Sequence, residues 1–327
     1  MREARVLLIA QNDPVEVEDE DRIETNLSNS LALLDEAKAY DPDFVCFPEF
    51  ILQLRFDHDG LAREDVAQPI PGPATDAVGE KAAELESYVL FPMIERDGDD
   101  LYNAIAFVGP DGEVIGTSHK LVPTIGEMED GTKPGEDVVV WETEFGRVGS
   151  LICWDSRYPE LGVRLAQKGA DLVFFPTTGS AHLPFRTWAS YYGYHVAYCD
   201  KNDAKVFTPT GDVIAHNDDG FANPSIDLGD GGEAHLSFSI VNTDVGVYGD
   251  SQTMGAMSDI LDEYAGSLVF HEANREGTVV LESVDDSVTL ADVENEFGVE
   301  PMFDLEERTR RHVLDIADRT PLLPHDD

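Results

Sequence analysis

Cysteine, glutamate and lysine side chains in three short segments could together carry out acyl transfer through sulfur. Cys153 lies in Gly149-Ser150-Leu151-Ile152-Cys153-Trp154-Asp155-Ser156-Arg157-Tyr158-Pro159-Glu160, where an apolar run turns abruptly into a helical pattern. A nucleophile carried on such a strand–turn–helix elbow follows the logic of the G-x-S-x-G motif. A thiol near the start of a helix would be favoured as the thiolate, the stronger nucleophile. Glu49 stands in Phe44-Val45-Cys46-Phe47-Pro48-Glu49-Phe50, just past the end of an apolar strand. Strand ends are where α/β sheets expose working groups, and a carboxylate there could take the thiol proton. Lys120, in Ser118-His119-Lys120-Leu121-Val122-Pro123-Thr124-Ile125-Gly126-Glu127, is one of only seven lysines and leads into a Pro/Gly loop. An ammonium so placed could stabilise a tetrahedral oxyanion, together with the backbone N–H of Trp154. Taken singly, each residue has an ordinary reading: a helix cap, a surface lysine, a small buried hydrophobe. The last fits Cys46, inside its strand, and not Cys153.

The elements that must position these residues can be read from periodicity. Arg5–Ala10 and Asp43–Phe47 are apolar strand runs, and Asp21–Tyr40 carries Ile23, Leu27, Leu31 and Leu34 at helical spacing. A helix follows at about Thr75–Glu86 and a strand at Tyr88–Phe91. Asn103–Val108 and Glu113–Ser118 flank the turn Gly109-Pro110-Asp111-Gly112 as a hairpin. Val148–Ile152 leads to a helix at about Ser156–Lys168, which Gly169 ends before the strand Asp171–Phe175. Lys205–Ala215 reads as a second hairpin, 217–232 as a loop, Arg275–Leu281 as a late strand and Asp304–Arg319 as a charged helix. Strand–helix–strand units alternating with hairpins predict an α/β or layered α+β fold.

Composition narrows the class of function. Sixty-six acidic against 22 basic side chains leave a formal net charge of −44. Such a surface repels nucleic acid and anionic lipid, and repels itself unless salt screens it. A salt-rich cytoplasm is the expected setting. Three cysteines, Cys46, Cys153 and Cys199, are an odd count without CxxC or Cys/His ligand spacing, which predicts a reducing compartment and no metal site. No apolar stretch reaches the ~18 residues a membrane span needs, and the N-terminus does not read as a signal peptide.

Glu49 in FPEF, Lys120 in HKLVPT and Cys153 in LICWDSRYPE resemble, in order and context, the Glu-Lys-Cys triad of the nitrilase (carbon–nitrogen hydrolase) superfamily. Leu161–Thr177, with LAQKGADLVFFPT, continues the likeness, which covers roughly residues 4–180. The resemblance implies an α-β-β-α sandwich, often assembled as a homodimer or higher homo-oligomer. It implies a thiol hydrolase acting on a non-peptide carbon–nitrogen bond of a small molecule, with neither metal nor organic cofactor. Trp154 and Glu127 look nitrilase-like, whereas Asp155-x-Arg157-x-Pro159-Glu160 looks more like the amidases and N-carbamoyl-amine hydrolases. An amide or N-carbamoyl amine is therefore the expected substrate, and a nitrile the alternative. Glu127 resembles a second active-site glutamate that orients substrate. A non-catalytic relative acting as an interaction protein and a papain-like Cys–His hydrolase are the competing classes. The resemblance predicts one domain over 1–320 with a tail at 321–327. Trp188–His195 reads as running almost directly into the Lys205 hairpin, 218–272 as an insertion or rearrangement, and Gly277–Leu281 as the family's final strand.

Overall fold

The computed structural model describes residues 2–12, 22–54, 61–179, 182–216, 225–229 and 232–317. Strands β1 (Glu3–Gln11), β2 (Phe44–Cys46), β3 (Tyr88–Asp97), β4 (Asp100–Val108) and β5 (Val114–His119) lie side by side. The first three run parallel, and β3-β4-β5 is an antiparallel meander. A second sheet holds β6 (Val140–Thr143), β7 (Gly146–Ser150), β8 (Leu172–Pro176), β9 (His195–Cys199), β10 (Ala204–Phe207) and β11 (Val213–His216), with β7, β8 and β9 parallel. The chain then returns to the first sheet through β12 (Ile226–Asp227) and β13 (Glu233–Asn242), and β13 pairs antiparallel with β1 along its whole length.

Alternation of side chains decides how these sheets stack, because a strand presents successive residues to opposite faces. In β1, Val6, Leu8 and Ala10 meet Phe44, Cys46, Leu90, Leu172, Phe174 and Ala197 in a core between the two sheets. Leu7 and Ile9 face the other way, onto α1 (Arg22–Ala37); α2 (Arg63–Val66) is a short turn, and α3 (Pro73–Leu85) joins α1 on that face. The second sheet repeats the arrangement: Val173, Phe175, Val196 and Tyr198 pack outward, against helices that follow α4 (Ile125–Glu129), namely α5 (Pro159–Gln167) and α6 (His182–Tyr192). The result is an α-β-β-α sandwich.

Three readings of the second half of the sequence are corrected. Trp188–Tyr192 end helix α6, and the fully buried strand β9 stands between them and the Lys205 hairpin, so the chain does not run directly from one to the other. The strand that closes the first sheet is β13, within the stretch read as an insertion. The late strand is Val279–Ser283, here β16; it lies between β14 (Val245–Tyr248) and β15 (Leu268–Glu272) in a separate three-stranded sheet and does not join the sandwich. That sheet packs with α7 (Ser251–Glu263) and α8 (Leu290–Phe297) around Tyr248, Ile260, Leu281 and Val293. Helix α9 (Met302–Ala317) follows and reaches α6 through Phe303 against Tyr192. The tail 321–327 and most of the 217–232 loop fall outside the described residues.

Candidate active site

Phe47, Pro48 and Glu49 follow β2, and Phe50 then takes a left-handed backbone at φ 60°. This sharp turn leaves Glu49 buried at the end of the first sheet, 1% exposed. Lys120 leaves β5 opposite Asn103 of β4: its amide donates to the Asn103 carbonyl at 2.8 Å and its own carbonyl accepts from Gly135 at 2.9 Å. The lysine side chain is as buried as the glutamate, 2% exposed. Burial of an ion on this scale is tolerated only with close partners.

Those partners are present. Lys120 Nζ donates to Glu49 Oε1 at 3.0 Å and to Glu127 Oε2 at 2.8 Å. An ammonium has three N–H groups, so one remains for a further acceptor. Asn103 Nδ2 bridges the same two carboxylates, donating to Glu49 Oε1 at 2.8 Å and to Glu127 Oε1 at 2.9 Å. Burial pulls the Lys120 ammonium toward its neutral form, but the charges of Glu49 and Glu127 outweigh it and hold its pKa above the ordinary value. Burial likewise raises the Glu127 carboxyl, but Lys120 and the Thr124 and Asn103 hydrogen bonds leave it below the usual range.

Glu127 has a second occupation. It is the third residue of α4, whose cap is Thr124: the Glu127 N–H donates to Thr124 Oγ1 at 3.2 Å, and Glu127 Oε2 accepts from the Thr124 N–H at 2.7 Å. This reciprocal capping box fixes Glu127 by local sequence alone, and the helix in turn aims it at Lys120.

Cys153 sits at φ 45°, another left-handed backbone outside glycine, after Leu151 and Ile152 have carried the chain past β7. Such strain is costly and persists only where the surroundings impose it. Asp155 supplies part of that imposition. Its buried carboxylate accepts from the Ile152 N–H at 3.0 Å, and from Val122 at 2.8 Å and Leu121 at 3.4 Å, tying the cysteine turn to the loop after Lys120. Burial pushes Asp155 up to about 6, against the pull of those amides and of Lys120.

The helix expected from about Ser156 starts later: Cys153–Arg157 form a 3₁₀ turn and α5 begins only at Pro159, so among the described residues its N-terminus does not stand next to Cys153 in the chain. The thiol is not held as a thiolate either: burial, then the Glu49 charge, push it up to about 11, with Lys120, Thr177 and the Thr178 N–H opposing. Trp154 is exposed beside it, with the Arg157 guanidinium 4.9 Å from the ring centroid.

Among the described residues no histidine figures in the electrostatics of Cys153. His119, next to Lys120 in sequence, turns to Glu95 at 2.6 Å and stacks on Tyr102. His195 is buried, which holds it down to about 4 and neutral at pH 7. Cys46 and Cys199 are free thiols buried in the inter-sheet core, their sulfurs 3.7 Å apart. No described group of three or more His, Cys, Asp or Glu side chains could hold a metal ion, and no described helix is long and apolar enough to cross a membrane.

The structure thus brings Glu49, Lys120, Glu127 and Cys153 together and leaves the Trp154 ring at the surface. Sequence reasoning missed Asn103 and Thr178. Asn103 was detectable as a polar residue in a run of β4 (Asn103-Ala104-Ile105-Ala106-Phe107-Val108) that is otherwise apolar. Thr178, whose amide and hydroxyl both reach Glu49, carried no signal.

A family model described as carbon-nitrogen hydrolase matches residues 10–196, more than half of the chain. The chain is 32% identical over 171 residues to the bifunctional nitrilase/nitrile hydratase NIT4A of Lupinus angustifolius, covering 47% of this chain and 49% of that one. It is 34% identical over 172 residues to the omega-amidase NIT2 of Bos taurus, covering 48% and 61%. The matches therefore span about half to three-fifths of the length of these curated relatives. In fold it is similar to Saccharomyces cerevisiae Nit3, with a TM-score of 0.60 at 18% identity over 73% of this chain and 90% of that one. An amidase from Nesterenkonia sp. gives 0.57 at 16% identity, over 73% and 90%.

Proposed function

Because the chain belongs to the carbon–nitrogen hydrolase family, we propose that it hydrolyses a non-peptide carbon–nitrogen bond of a small amide or N-carbamoyl amine, with Cys153 as nucleophile, Glu49 as base and Lys120 as oxyanion donor. The observation that carries this reading is the buried Glu49–Lys120–Glu127 group beside Cys153, with one Lys120 N–H left over. Glu49 takes the thiol proton as sulfur attacks the carbonyl carbon. The oxyanion is received by Lys120 and the Trp154 N–H. Glu49 returns the proton to nitrogen, ammonia departs, and a thioester remains on Cys153. A water molecule then gives its proton to Glu49 and attacks the thioester, releasing the acid and the thiol.

The raised thiol fits this order of events. A neutral Cys153 beside an ionised Glu49 avoids two buried like charges, so deprotonation belongs to the attack and not to the resting enzyme. Glu127 acts mainly by holding Lys120 charged and in place. The Asp155–Arg157–Pro159–Glu160 pattern and the likeness to an omega-amidase support the amide class, whereas Trp154 and the likeness to NIT4A support nitriles. The proposal includes assembly as a homo-oligomer in a salt-rich cytoplasm, and its chemistry requires no cofactor. Ammonia release at molar KCl from parallel panels of small amides, N-carbamoyl amines and nitriles tests it. Turnover highest on an amide or carbamoyl compound is expected. Release from nitriles alone would move the substrate class, and release from none would end the catalytic reading.

A further inference from the structure

Counting the acceptors on Glu49 exposes a difficulty for a base. A carboxylate offers about four lone-pair positions. In Glu49 all are taken: Oε1 by Lys120 Nζ at 3.0 Å and Asn103 Nδ2 at 2.8 Å, and Oε2 by the Thr178 amide at 3.0 Å and the Thr178 hydroxyl at 2.9 Å. The thiol proton has no open place to go. One donor must leave before Glu49 can receive it.

The four donors differ in what leaving would involve. Lys120 is buried, ionised and held on its other side by Glu127. Asn103 is fully buried and bridges both carboxylates. The Thr178 amide is part of the backbone two residues past the end of β8. The Thr178 hydroxyl alone is a rotor, and Thr178 is exposed, so water can take its hydrogen bond when it turns.

We propose that Thr178 is a positioning residue whose hydroxyl gates Glu49, occupying the acceptor position on Oε2 that the Cys153 proton must reach and vacating it when the thiol reacts. The hydroxyl keeps its own proton throughout. The thiol S–H bond breaks, its proton passes to the vacated Oε2 position, and the sulfur lone pair forms the new bond to carbon. This rests on Glu49 acting as base for Cys153. In the resting state the gate leaves the proton on the thiol.

Alkylation of Cys153 by iodoacetamide at pH 7 isolates the step, since it needs the thiol proton removed but no substrate; Cys46 and Cys199 are fully buried and label slowly. Opening the gate in the native protein breaks a hydrogen bond to a charged group, so Thr178→Val and Thr178→Ala should each alkylate about tenfold faster. Thr178→Ser, which restores the hydroxyl, should return the rate toward wild type. Glu49→Gln combined with Thr178→Val should lose the acceleration. Valine and alanine rates equal to or below wild type would overturn the gate. So would an acceleration that persists with Glu49→Gln, which would mean the pocket had merely opened. If Glu49→Gln alone leaves the wild-type rate unchanged, the assignment of Glu49 as base fails, and the gate fails with it.

Discussion

Each of the proposed catalytic side chains is placed by something other than itself. Cys153 is bent into φ 45° with Asp155 gripping the preceding amide, and Lys120 is held between two carboxylates that Asn103 also joins. Lys120→Gln should reduce kcat by ~10²–10³ if it is an oxyanion donor. Circular dichroism must accompany the kinetics, because the change also leaves Glu49 and Glu127 without their shared cation. A folded variant with near-normal kcat would remove the lysine from the mechanism. Asp155 gives a pH signature. Its folded pKa of about 6 lies above the ordinary 3.8, so folding favours the protonated form. The stability this group contributes is thus greatest below pH 4, falls as pH rises from about 4 to about 6, and is flat above. Asp155→Asn cannot titrate, so the melting temperature of wild type minus variant should decline over that window and then level off. A difference that rises with pH there would contradict the buried, burial-raised carboxyl.

At the scale of elements, what could be read from the sequence followed from strong local patterns. The two hairpins, β8 and the α1 and α3 helices lie within a few residues of their expected places, because apolar periodicity and Gly/Pro turns announce them. β13 was missed although Ala234, Leu236 and Phe238 alternate with His235, Ser237 and Ser239 in the period of a half-buried strand, because the run follows a Gly- and Asp-rich stretch that reads as a loop. The helix after Cys153 was expected from about Ser156 and begins at Pro159, because the 3₁₀ turn before it and the helix itself share the same local composition. In the site, Glu49, Lys120 and Cys153 carried motif signals. Asn103 acts through contacts across 24 and 54 residues, and its polarity within β4 was its one local sign; Thr178 acts through a contact across 129 residues, which no window can see. One contact between elements is open to test. A Cβ on Gly79 of α3 would come within 2.2 Å of the Gly112 carbonyl oxygen in the β4–β5 turn, backbone that cannot rotate away. Alanine improves helix propensity by up to ~1 kcal/mol, but overpacking of this kind costs ~1–3 kcal/mol. Gly79→Ala should therefore lower the urea midpoint. A higher midpoint would show that α3 and the hairpin bearing Lys120 part more easily than their packing implies.

For the whole molecule the dominant number is the charge of −44. Lys38 and Lys81 share Asp35 and Glu84 in an exposed cluster, and such pairs contribute little each; most carboxylates have no cation to offset them. At ~0.1 M salt the Debye length is about 10 Å, and at ~1 M about 3 Å, short enough to screen neighbouring surface charges. Melting temperature and activity should both rise across that range of KCl, with activity following the folded fraction because Glu49 and Lys120 are shielded from solvent. A melting temperature that is flat or falls would mean the acidic surface is not salt-dependent, while leaving the chemistry of the site untouched. Cys153 as the point of covalent attachment is tested most directly by acid-quenching the enzyme during turnover of the best amide or carbamoyl substrate and weighing its peptides. The Cys153 peptide should gain the mass of the acyl group, Cys46→Ala and Cys199→Ala should keep most turnover, and Cys153→Ala should lose both adduct and ammonia release. An acyl group on Cys199, or turnover that survives in Cys153→Ala, would contradict the mechanism at its centre.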